Sequence, residues 1–98
     1  MAAQRHLDRL REFLTGFFRN EPVRVLLFGS RARGDCAGAS DIDIGILPAQ
    51  GFDPAKLASL DEEVDRLNIP YKVEIVNLAE TSQRLRAQAL KDGIIWKD

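Results

Sequence analysis

Between Gln4 and Arg19 the apolar residues fall at Leu7, Leu10, Phe13, Leu14, Phe17 and Phe18, one stripe of an amphipathic helix. Asn20, Glu21 and Pro22 end it. Val23 to Phe28 is a short apolar run with Arg24 as its one charge, the pattern of a strand covered on both faces. Ser30 to Ala39 is small, polar and glycine-bearing, which predicts a loop with one helical turn starting at Ser30. From Asp41 to Leu47 charged and apolar residues alternate, so a second strand has Ile42, Ile44 and Ile46 on one face. Pro48 to Pro54 reads as a turn region. Ala55 to Leu67 returns to helical spacing, with Asp61, Glu62, Glu63 and Asp65 around its solvent side. After the break at Asn68-Ile69-Pro70, Lys72 to Asn77 predicts a third strand. Thr81 or Ser82 can cap a last helix reaching about Lys91, with Gly93 at C′; the apolar Ile94, Ile95 and Trp96 then anchor the tail to the core or serve an interface, the core being the preferred reading. The order predicts an α/β (α+β) protein, a small sheet with helices packed on it.

Composition narrows the partners. A chain of 98 residues forms one domain, residues 1–98, with no repeats or linkers. Fourteen Lys and Arg against fifteen Asp and Glu argue against a protein held to nucleic acid by its overall field. Cys36 is the single cysteine, so neither an intramolecular disulfide nor a cysteine metal cluster can form. Its Gly-Asp-Cys-Ala-Gly setting reads as a tolerated loop thiol. No apolar run has the length of a membrane span and the N-terminus is charged, which predicts a cytoplasmic protein. His6 reads as a surface residue away from the chemistry, and Tyr71 as an ordinary strand aromatic.

The chemistry gathers in "FGSRARGDCAGASDIDIGI", residues 28–46. Period two on a strand sends Asp41 and Asp43 to one face, where their charges repel unless a cation or a proton separates them. Mg²⁺ takes one or two protein carboxylates together with substrate phosphates. Upstream, Gly29 permits close backbone approach and Ser30 offers a hydroxyl and an N–H where a helical turn begins, a setting that gathers phosphate oxygens. Arg31 and Arg33 carry guanidinium forks that match phosphate, and both also read as surface charges. Asp-x-Asp alone is usually a solvated strand face, and Gly-Ser alone a turn. Together at fixed spacing they arise by chance in on the order of one chain in a thousand of this length.

A hydrophobic strand, Gly29-Ser30, ten residues, then Asp41-Ile42-Asp43 resembles the signature of the DNA polymerase β-like nucleotidyltransferase superfamily. The intervening "RARGDCAGASDID" is similar to its small prokaryotic branch, the minimal nucleotidyltransferases, and length and element order match from about residue 5 onward. The resemblance implies a palm-like fold with a small mixed sheet. It also implies that Gly29 and Ser30, with Arg31 or Arg33, bind the triphosphate of an NTP such as ATP. Asp41 and Asp43 would bind two Mg²⁺ ions, completed by a third acid on a later strand, Glu74, where the family more often has Asp. Read from the residues alone, Glu74 is either that ligand or an edge-strand glutamate paired with Lys72. Minimal nucleotidyltransferases are typically partnered by a small all-helical HEPN protein as an antitoxin–toxin couple. The resemblance therefore implies transfer of AMP to a hydroxyl of such a partner. The alternative is a non-catalytic antitoxin that neutralises the partner by covering it.

Overall fold

In the computed structural model, which describes residues 2–34 and 41–98, the first apolar stripe forms α1 (Ala2–Phe17). Leu10, Leu14 and, just past its end, Phe18 are fully buried, while Leu7, Phe13 and Phe17 are half-covered at the margin. Strand β1 (Val23–Phe28) follows, and every residue except Arg24 is buried. A four-residue helix α2 (Ser30–Arg33) stands where the helical turn is expected, directly after Gly29. Cys36 lies outside the described residues.

Strand β2 (Ile42–Pro48) runs antiparallel to β1, and β3 (Val73–Asn77) lies parallel to β2 on its other side. The parallel pair needs a crossover, supplied by a 3-10 turn (Pro54–Leu57) and helix α3 (Leu60–Asp65). The spacing of Leu57 and Leu60 predicts one continuous helix, and the chain divides it. Pro54 opens the tighter turn, the Asp53 carboxylate accepts from the Ala55 N–H at 3.0 Å, and α3 starts anew after Ser59. A leucine at each of these positions reaches the core from either geometry, because i and i+3 align in a 3-10 turn.

Helix α4 (Gln83–Asp92) starts as expected, with the Ser82 hydroxyl accepting the Leu85 N–H at 3.1 Å. Its end differs from expectation. Gly93 is extended at φ −73°, not left-handed. Glycine is needed there for space: a Cβ would stand 2.3 Å from the Ala89 carbonyl oxygen and 2.6 Å from Leu26 Cδ1. The apolar tail is a fourth strand, β4 (Ile94–Lys97), antiparallel to β1. Trp96 packs on the core, but Ile94 and Ile95 are 47% and 41% exposed, so only part of the tail serves as the expected anchor.

The sheet is mixed and ordered β3-β2-β1-β4. One face carries Val25, Leu27, Ile42, Ile44 and Ile46 under α1 and α3. The other carries Leu26, Phe28 and Val76 with Leu78 and Ala89, beneath α4. Gly45 is central to that second face, where an added Cβ would lie 2.7 Å from Leu78 Cδ1 and 3.4 Å from Leu26 Cγ. Leu78 is fully buried and has nowhere to swing. Gly45→Ala is therefore expected to destabilise the fold by about 1–3 kcal/mol, the usual cost of overpacking. A urea melt with unchanged slope and a lower midpoint checks it.

Candidate functional site

The register of the sheet assembles the site. Phe28 pairs with Asp43, and Asp43 pairs with Glu74, so one row crosses β1, β2 and β3. In-register neighbours point to the same face, so both carboxylates stand on the α4 side of the sheet. They are close enough to share a side-chain hydrogen bond. β1 ends at this row, and the next residue is Gly29, with φ 77° and ψ −158°. That conformation belongs almost exclusively to glycine. A Cβ on Gly29 would come within 2.3 Å of Asp43 Oδ2. The Gly-Ser turn therefore lies directly against the carboxylate. Ser30, the first residue of α2, is half-buried beside it.

Electrostatics set Asp43 apart. Burial first, then the charge of Glu74 and the hydrogen bond with it, then Asp41, push the Asp43 carboxyl above its ordinary value, while Arg33 pulls it down. Asp41 is exposed, immediately before β2. Glu74 also faces Lys72, with Nζ 3.9 Å from Oε1, and both side chains are more than half exposed (67% and 53%). A contact this long and wet contributes little. The edge-strand pairing with Lys72 and the neighbourhood of Asp43 thus coexist.

Hard oxygen donors crowded until the charged form of one is disfavoured are what a divalent cation relieves, and the donor chemistry fits Mg²⁺. Among the described residues no three His, Cys, Asp or Glu side chains gather around one point, so the acids do not form a closed cage. Such a set leaves room for substrate phosphate oxygens to complete a coordination sphere. The cleft of about 310 Å³ beside Arg24, Leu47 and Lys97 lies at the opposite end of β1 and contains none of these groups.

The two arginines separate. Arg33 acts on Asp43. The Arg31 guanidinium instead lies over the Tyr71 ring, 4.6 Å from its centroid. His6 meets the same ring edge-on, with centroids 5.8 Å apart. Sequence reasoning placed His6 on the surface and gave Tyr71 no role. The signal that unites them is the β2–β3 register, which brings residue 71 to the same end of the sheet as Gly29 and Asp41.

The family model for polymerase beta nucleotidyltransferases matches residues 11–97, nearly the whole chain. The chain belongs to that family. No curated protein matches it. Among solved structures, one described as a minimal nucleotidyltransferase is 29% identical with a TM-score of 0.70, aligning 90% of each chain. A chain from a toxin–antitoxin crystal structure with AMP-PNP is 26% identical at TM-score 0.65, covering 88% of this chain and 71% of that one. The fold also recurs in a complex of tri-AMPylated Shewanella oneidensis HEPN toxin with its MNT antitoxin, 24% identical at TM-score 0.63 over 98% and 71% of the two chains. This nucleotidyltransferase has a mixed sheet with helices on both faces. Among its described residues no helix is long and apolar enough to cross a membrane.

Proposed function

We propose that this chain transfers AMP from ATP to a hydroxyl side chain of a small helical HEPN partner and so acts as the antitoxin of a pair. The observation that carries the reading is the Asp43–Glu74 pair pressed against the Gly29-Ser30 turn, which joins an acid site to a phosphate-binding turn. Structures related to this chain hold AMP-PNP or an AMPylated HEPN toxin, which supports ATP as donor and such a protein as acceptor.

The acceptor oxygen attacks the α-phosphorus, the bond to the β-phosphate oxygen breaks, and pyrophosphate leaves. Glu74 accepts the hydroxyl proton. Gly29 and Ser30 hold the β- and γ-phosphates through backbone N–H and hydroxyl groups, and Arg33 faces the charge of the leaving group. Asp43 and Glu74, the carboxylates that stand together, would hold Mg²⁺, with Asp41 and the substrate phosphates adding oxygens as nucleotide binds; when bound the ion offsets the negative charge of the reacting phosphates. The acids on this chain then serve to fix position, and an acceptor surface has to come from the partner.

The test is transfer from ATP labelled at the α-phosphate, with Mg²⁺, to a purified HEPN partner. Label on the partner that disappears with Asp43→Asn supports the proposal. Tight binding of the partner with no label overturns the catalytic step and leaves an antitoxin that works by covering. The exposure of Glu74 and the open arrangement of the three acids are the observations that favour that second reading.

A further inference from the structure

Helix α2 has four residues and none of them is buried, so it cannot hold its own shape by length or by deep packing. Its bonds run from the Ala32 and Arg33 N–H groups to the Gly29 carbonyl (3.2 Å each) and from Gly34 N–H to the Ser30 carbonyl (3.0 Å). These bonds define the turn that carries Ser30. The side chains tie it outward: Ala32 packs on the core, and Arg31 lies over Tyr71. Tyr71 is itself seated, half-buried against the core and edge-on to His6 of α1. The His6 Nδ1 is buried without a hydrogen-bond partner among the described residues, and its ring meets that of Tyr71. Tyr71 is also two residues before β3, the strand that carries Glu74. One stack therefore bridges α1, α2 and the approach to β3.

We infer that Tyr71 and Arg31 form a clasp that sets the Gly29–Arg33 turn, making Arg31 a positioning residue that acts through Tyr71. Arg31 lies over the ring of Tyr71, and Arg33 acts on Asp43. An arginine over a tyrosine face is attracted by the ring's quadrupole, and the flat guanidinium covers the ring as a lysine would not. The consequence for phosphate binding rests on the nucleotidyltransferase reading above, whereas the ordering of the turn does not.

Amide hydrogen exchange in the nucleotide-free protein tests the clasp directly. In Tyr71→Leu, exchange at Ala32, Arg33 and Gly34 is expected to accelerate about threefold to tenfold, with Leu26 in β1 unchanged as the control. Tyr71→Phe keeps the ring and restores the parent rates. Arg31→Met reproduces the acceleration, and serves alone should Tyr71→Leu fail to fold. Unchanged exchange in Tyr71→Leu or Arg31→Met, or a Tyr71→Phe variant as fast as Tyr71→Leu, overturns the clasp. A parallel titration with Mg·ATP reads the consequence: affinity falls in Tyr71→Leu and returns in Tyr71→Phe. A parent protein that binds no Mg·ATP overturns the nucleotide reading, while the exchange rates judge the clasp by themselves.

Discussion

Asp43→Asn is expected to abolish nucleotidyl transfer, at least about a hundredfold, and yet to melt at a higher temperature than the parent in divalent-free buffer at neutral pH. The two effects share one cause. Burial, Glu74 and Asp41 raise the Asp43 carboxyl above its ordinary value of 3.8, so the charged form is disfavoured in the folded protein. Between that ordinary value and the raised one, the folded chain holds more protons than the unfolded chain. Stability from this group is thus lost as pH rises through that window, and above it the charge is a standing cost. Asparagine keeps the shape and removes the charge. The parent should accordingly melt higher on mild acidification as far as this group is concerned, and the variant should lack that component. Mg²⁺ should raise the melting temperature of the parent more than that of the variant, since ligand binding to the folded state stabilises it. Thermal melts with and without Mg²⁺, beside the label-transfer assay, check each part. A variant that melts lower than the parent would give the carboxylate a structural role and sink this account.

The architecture was readable because its signals are periodic. The α1 stripe, the alternation from Asp41 to Leu47 and the cap at Ser82 each stand in a few residues, and each element formed where they predict it. The nearness of Gly29-Ser30 to Asp43 was readable too, because they are close in sequence, whereas Asp41 stands just before β2, outside the strand whose period was expected to align the two aspartates. What could not be read was long-range. Ile94 to Lys97 is too short and too apolar to distinguish a strand from a packed tail until β1 offers its edge. Gly93 has the look of a left-handed cap, but its requirement comes from Ala89 and Leu26 pressing on it. The meeting of Glu74 with Asp43, and of Arg31 with Tyr71, depends on which strand lies beside β2 and in which register. No local pattern encodes that choice.

Gly29→Ala carries the other large effect, and it separates backbone strain from collision. At φ 77° and ψ −158° any residue with a Cβ is strained by about 1–3 kcal/mol. The same Cβ meets Asp43 Oδ2 at 2.3 Å, and the Asp43 side chain has to rotate away. The first effect lowers stability, by roughly 4–8 °C of melting temperature per kcal/mol in a domain of this size. The second displaces the carboxylate from Glu74 and from the Gly29-Ser30 turn, so on the proposed function transfer should fall by at least about a hundredfold even where the protein is fully folded. The two parts can be separated, because only the collision depends on residue 43. In an Asp43→Ala background the alanine at 29 has no carboxylate to strike, so its stability cost should shrink to the backbone strain alone. A double-mutant cycle on urea midpoints measures the difference. Strict additivity would mean that Asp43 swings aside at no cost, and then the close approach of turn and carboxylate would be a contact the site does not depend on. A clear coupling would mean that this glycine is required by the carboxylate as much as by the turn.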